Sequence, residues 1–199
     1  DNEGSLLAGT YHAGGAFAYA TTLEYGVTLE SCEFVNNHSQ TDGAAFYGYG
    51  TISVTDCFFK NNRSENLVAA GGAIWVEANT LFERCIFDGN EAATQGGAIY
   101  VYRCDTFAMR NCLFVENHAA QGGAIAIKNV SQPSIAIANC TMTGNVSTGE
   151  GAVIYCTNNY SANLSNCIVW NNTGTSILDD TIATTPISVD YSCVQGGFA

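Results

Sequence analysis

The chain has 199 residues, 47% of them hydrophobic, yet no run approaches the roughly 18 apolar residues of a membrane-spanning helix. Eighteen acidic residues against six basic ones give a net charge of −12. The few cations are scattered, which excludes the clustered positive surface that nucleic acid requires.

From the N-terminus onward, one pattern returns. GGAF at Gly14 precedes a short strand with Phe17 and Ala18, then comes an alternating stretch with Val27 and Leu29, then Cys32, Phe34 and Asn37. The next copy reads GAAF at Gly43, Phe46-Tyr47 with Tyr49, Ile52 and Val54, then Cys57, Phe59 and Asn62. A third has GGAI at Gly71, Ile74-Trp75-Val76, then Cys85, Phe87 and Asn90. A fourth follows with Gly96, Ile99-Tyr100-Val101, Tyr102, Phe107 and Met109, then Cys112, Phe114 and Asn117. A fifth contains Gly122, Ile125, Ile135 and Ile137, then Cys140, Met142 and Asn145, and a sixth Gly151, Ile154, Cys167, Val169 and Asn172. Cys193 closes the series; successive cysteines stand 25, 28, 27, 28, 27 and 26 residues apart.

Self-similarity at a period near 27 residues marks a stacked repeat. Each copy holds two short strand patterns and no helical stretch, so one copy cannot bury its own apolar face. Stacking copies at about 4.8 Å pairs each strand in parallel with its counterparts above and below. The expected fold is all-β, a right-handed parallel β-helix of about seven turns, the handedness following from the bias of parallel crossovers. Residues 1–199 read as one β-helix domain. The chain opens at Asp1 without a signal segment and ends soon after Cys193, so both ends read as cuts in a longer surface protein.

Alternation places Phe17, Phe46, Ile74, Ile99, Ile125 and Ile154 inside. The step of three residues from Leu29, Val54 and Met109 to the next cysteine demands a bend, after which the cysteine and the residue two later point inward. Cys32, Cys57, Cys85, Cys112, Cys140, Cys167 and Cys193 are therefore expected as one buried column of thiols. Side chains running parallel in such a column do not meet disulfide geometry. Cys156 falls at an inward position and Cys104 in a loop, where it reads as the exposed thiol. Asn37, Asn62, Asn90, Asn117, Asn145 and Asn172 read as turn residues with φ > 0 that pair through their amides from turn to turn. Several, including Asn37, Asn62 and Asn145, also open an Asn-x-Ser tripeptide, an acceptor motif for glycosylation.

GGA[I/F] alternating with F-x-x-N, in register from about residue 14 to 172, resembles the repeat pair of the chlamydial polymorphic membrane proteins. Related β-helix repeats occur in large bacterial surface proteins. The resemblance implies an autotransported passenger acting as an adhesin, associated with the bacterial outer membrane, and it supplies no catalytic motif.

No C-x-x-C pair or Cys/His spacing suggests zinc, and Asp179-Asp180 alone falls short of a calcium ligand set. Neither a metal nor a cofactor is expected. His12, His38 and His118 share no constellation. Parallel β-helices include polysaccharide lyases and glycosidases, so an enzyme is the alternative reading. The strongest charged group is Asp56, Glu83, Arg84 and Arg110 just before the cysteines, and its mixed signs read as cross-strand pairs. No catalytic residue is assigned.

One outward column is unusual. Tyr47, Trp75 and Tyr100 should stack on successive turns, flanked by Tyr49 and Tyr102, as an exposed aromatic strip. These five are the candidate ligand-binding residues, suited to a host or matrix glycan or protein. The expectation for the whole is a rigid extracellular segment acting as adhesin or spacer. It does not insert in a membrane, it binds no nucleic acid, and it packs against neighbouring β-helix turns or domains of the full-length chain.

Overall fold

The computed structural model describes residues 17–19, 26–128, 134–156, 162–175, 178–179 and 187–196. His12, the glycine motif at Gly14 and Asp180 lie outside them. Among the described residues every strand pairs in parallel and there is no helix. The chain winds as a β-solenoid with three sheets. Seven three- or two-residue strands, from Glu33–Val35 to Cys193–Val194, follow the cysteine corner. Five two-residue strands, from His38–Ser39 to Val146–Ser147, follow the asparagine corner. A twelve-stranded sheet carries the strands after the glycines and those before the cysteines. In two turns, Phe46–Thr55 and Ile74–Glu83, these merge into one strand of ten residues. Among the described residues five turns place a strand in the short sheet, so about five turns carry all three sheets where the cysteine count predicts about seven.

Three positive-φ columns make the corners. The residue before each cysteine is left-handed: Ser31, Asp56, Arg84, Asn111, Asn139 and Asn166, with φ between 51° and 57°. This is the bend that the three-residue step demands. The second column is Asn36, Asn61, Gly89, Glu116, Gly144 and Asn171. The left-handed residue is thus the one before each ladder asparagine, not that asparagine, which is freed to turn its amide inward. The third is Gly43, Gly71, Gly96, Gly122 and Gly151, and at Gly72, Gly97 and Gly123 the following glycine is needed for space. A Cβ on Gly97 would lie 2.1 Å from the Gly123 carbonyl oxygen.

The register aligns Phe46, Ile74, Ile99, Ile125 and Ile154 on one inward column. Facing them, Phe34, Phe59, Phe87 and Phe114 stack almost parallel, with centroids 5.0, 4.9 and 4.6 Å apart. Met142 and Val169 continue the column. Beside it runs an amide ladder. The Nδ2 of Asn37, Asn62, Asn90, Asn117 and Asn145 donates to the Oδ1 of the next asparagine at 2.8, 2.9, 3.0, 2.9 and 3.0 Å. The Oδ1 of Asn62, Asn90, Asn117, Asn145 and Asn172 also accepts the backbone N–H of the preceding asparagine, as Asn90 Oδ1 does from Asn62 at 3.0 Å. The second Nδ2 hydrogen reaches back one turn, for example from Asn90 to the Phe59 carbonyl at 3.0 Å. From Asn62 to Asn172 these buried amides are bonded at both oxygen and nitrogen, which offsets the cost of desolvating them.

The thiol column departs from expectation at its end. Cys57, Cys85, Cys112, Cys140 and Cys167 are buried, and Cys32 is half-buried at the first turn. The last turn slips by one residue: Ile168 aligns with Cys193, so Ser192 takes the inward place and its Oγ accepts the Cys167 N–H at 2.9 Å. Cys193 is exposed. The left-handed residue is correspondingly Tyr191, and Gln195 ends the ladder by accepting the Asn172 N–H at 3.0 Å. Cys104 also differs: its loop folds inward and joins the core, 6% exposed.

Two outcomes follow from this packing. Phe87→Ala, which opens a hole between two stacked rings, should cost about 3–5 kcal/mol in urea unfolding, and Asn90→Ala should also destabilise by stranding its ladder partners. A native chain given an aromatic disulfide reagent should label Cys193 first and Cys32 more slowly. The other seven thiols should label only on unfolding.

Candidate functional site

Tyr47, Trp75 and Tyr100 occupy one outward column of the long sheet, in register through Tyr47↔Trp75 and Tyr100↔Trp75. Their rings lie along the solenoid axis like a pile of plates. Tyr47 and Trp75 are 4.4 Å apart at 11°, and Trp75 and Tyr100 are 6.3 Å apart at 25°. Tyr49 meets Tyr47 and Trp75 edge-on, Tyr102 lies 5.9 Å from Trp75, and the Tyr47 and Tyr49 hydroxyls are 2.9 Å apart. The Arg103 guanidinium covers Tyr102 at 5.0 Å and reaches the Glu77 carboxylate at 3.5 Å.

The strip faces away from the core, yet it is not exposed as expected. Tyr47, Trp75 and Tyr100 retain 2%, 8% and 7% of their surface. Two things cover them: their own stacking, which uses up the ring faces, and Ala70 from the preceding loop, which joins their cluster. Burial therefore raises the Tyr47 and Tyr100 hydroxyl pKa values well above the usual phenol range.

A cleft of about 240 Å³ opens beside this cluster. It is lined by Trp75, Tyr100 and Tyr102 of the cluster, by Val68 and Ala70 of the loop, and by Asp42, Thr94, Gln95 and Lys128. Asp42 Oδ1 accepts the Ala70 N–H at 2.7 Å, which ties the loop to the neighbouring turn. The loop itself was not singled out in the sequence, although its length betrays it. From ladder asparagine to next glycine the chain takes nine positions at Asn62–Gly71, against six, six, five and six elsewhere.

The charged group before the cysteines is self-neutralised. Arg84 forks Asp56, with Nε to Oδ1 at 2.7 Å and Nη2 to Oδ2 at 2.9 Å, and its Nη1 meets Glu83 at 2.6 Å. The hydrogen bonds from Arg84 hold the Asp56 carboxyl below its ordinary pKa. Arg110 sits beside Glu83 in the register and forms no ion pair among the described residues. His38 and His118 share the outward column His38–Arg63–Glu91–His118, where His38 Nδ1 lies 3.1 Å from Glu65. Among the described residues no three His, Cys, Asp or Glu side chains converge as a metal site. Asn37, Asn62 and Asn145, the acceptor asparagines of the Asn-x-Ser motifs, are buried in the ladder and closed to a glycosylating enzyme in the folded chain.

Residues 9–153 match the family described as a right-handed β-helix region, and the chain belongs to that family. Its winding is therefore right-handed. The chain is also similar to two proteins of Dictyostelium discoideum. Metabotropic glutamate receptor-like protein R is 31% identical over 161 residues, covering 80% of this chain and 10% of the relative. Metabotropic glutamate receptor-like protein P is 25% identical over 129 residues, covering 65% of this chain and 9% of the relative. The chain thus spans about a tenth of the length of these relatives. No solved structure matches it.

Buried acids of high pKa give a pH test. Burial pushes Cys57 up to about 11 and Cys104 up to about 12 from 9.0, and Tyr47 and Tyr100 rise from 10.0. The unfolded chain ionises these groups first, so stability is full below their unfolded values and falls as pH rises past about 9 and then 10. Cys167, held down at about 7 by its hydrogen bond with Cys140, works the other way but adds nothing further above 9. Urea midpoints should therefore drop between pH 9 and 11, and Tyr47→Phe should flatten the upper part of that fall.

Proposed function

We propose that this chain is a rigid extracellular spacer and recognition segment of a larger cell-surface protein, an adhesin-type β-helix whose aromatic cleft contacts the partner. The observation that carries this is the placement of a bulky aromatic cluster outside the core, with a cleft beside it. The core needs none of these rings: it is filled by the inward Ile/Phe columns, the phenylalanine stack and the ladder. A contiguous apolar feature on the outside of a solenoid with net charge −12 fits a site kept for binding.

The length relationship supports the segment reading, since the matched region is about a tenth of two receptor-like proteins. The adhesin reading, and assignment to a bacterial surface, rest on the resemblance to the polymorphic membrane protein repeat. Rigidity is supported by the ladder from Asn37 to Asn172 and by the parallel strand pairing beside it.

Replacing Tyr47, Trp75 and Tyr100 would strip a buried cluster, so the test belongs at the rim. Wild-type protein and a Tyr102→Ser/Lys128→Ala variant are compared on arrays of glycans and extracellular matrix proteins. Binding by wild type, reduced about tenfold or more in the variant at unchanged thermal stability, is the expected result. Binding that the variant retains in full would remove the cleft from recognition.

A further inference from the structure

The cleft carries more than a general affinity, because its walls differ in chemistry. We propose that it is a docking site for a polypeptide segment, which inserts one aliphatic side chain between Val68 and the Trp75–Tyr100 edges and sets a carboxylate against Lys128. The proposal rests on the recognition reading above and names the ligand class for the same site.

Four observations point this way. First, much of the ring surface is already occupied. Tyr47 and Tyr100 flank Trp75, and Arg103 covers Tyr102. A sugar that binds aromatic residues lies flat on an open ring face, and both faces of Trp75 are taken here. Ring edges are positive and accept the C–H-rich surface of an aliphatic chain through dispersion and burial. Second, the loop with the three-residue extension brings its apolar residues to the outside. Leu67 is 88% and Val68 77% exposed, and Val68 lines the cleft. A solvated loop gains nothing from leucine and valine side by side at its tip. Exposed aliphatics rimming a preformed cleft are what a protein partner buries.

Third, the size is that of one residue. About 240 Å³ holds a leucine- or methionine-sized side chain with its local backbone and leaves no room for an oligosaccharide to lie within it. Fourth, of the two cations that form no ion pair among the described residues, Arg110 and Lys128, the cleft holds Lys128. Lys60, Arg63, Arg84 and Arg103 each pair with a carboxylate. Lys128 forms no ion pair among the described residues, in a chain where acidic residues outnumber basic ones eighteen to six. Asp42 lines the same cleft, yet an ammonium there that makes no ion pair with a described carboxylate can receive one from outside, and it selects an acidic partner residue rather than a basic one.

The experiment is selection of a random heptapeptide phage library on the immobilised full chain, in parallel on Leu67→Ser/Val68→Ser and Lys128→Glu variants. These three residues lie on the surface, so circular dichroism and melting temperature should match wild type. Wild type should enrich peptides that combine an aliphatic residue with Asp or Glu. The loop variant should recover those peptides about tenfold less or worse. Lys128→Glu should turn the selected charge from Asp/Glu to Lys/Arg. The proposal falls if wild type enriches nothing over a bare surface, if the loop variant selects the same peptides, or if the acidic preference survives Lys128→Glu. Glycan binding that depends on Tyr102, with no peptide enrichment, would overturn the polypeptide ligand and leave the recognition reading standing.

Discussion

Everything in this molecule depends on keeping successive turns in register, and the buried asparagine amide sets that register. A parallel stack of short strands could slide by one residue with little change in backbone hydrogen bonding, but every side chain would then reverse its face. The ladder forbids the slip. Each amide has one geometry in which its oxygen receives two N–H groups from one neighbouring turn while its nitrogen serves two carbonyl oxygens. A one-residue shift would bury all four unsatisfied, at about 1–3 kcal/mol for each stranded group. The phenylalanine stack and the thiol column inherit their alignment from it.

The last turn shows what happens where the ladder stops. No asparagine stands five positions after Cys193. Gln195, one carbon longer, caps Asn172 from a different position in the chain, and the strand settles one residue out of phase. Ser192 then takes the inward place and Cys193 the outward one. The thiol was the more visible mark in the sequence, and the amide was the one the fold obeyed.

Most of the architecture was legible because period, alternation and corner residues agree. The bend before each cysteine could be derived by counting, and its left-handed residues lie where the count places them. The cleft was only half legible. Alternation shows that Tyr47, Trp75 and Tyr100 face outward, but whether an outward ring meets solvent depends on what folds over it. Here that is Ala70, from a loop whose pattern carries no periodicity. Cys104 misled for the same reason, since a loop position says nothing about whether the loop tucks inward. The unequal spacing between ladder asparagine and glycine held the missing information, and it is readable once the ladder is taken as the fixed mark.

That spacing has a wider consequence. The arc from cysteine to asparagine is five residues in each of six repeats, whereas the arc from asparagine to glycine runs from five to nine. One side of the solenoid is a ruler and another is a margin. Lengthening the margin leaves the ruler untouched, so the surface can be remodelled by changes of length alone, with no compensating substitution in the core. The three extra residues between Asn62 and Gly71 are one such addition. A foreign loop grafted at the same place would be presented on a rigid spine at a chosen height, and the height would be set by which turn receives it.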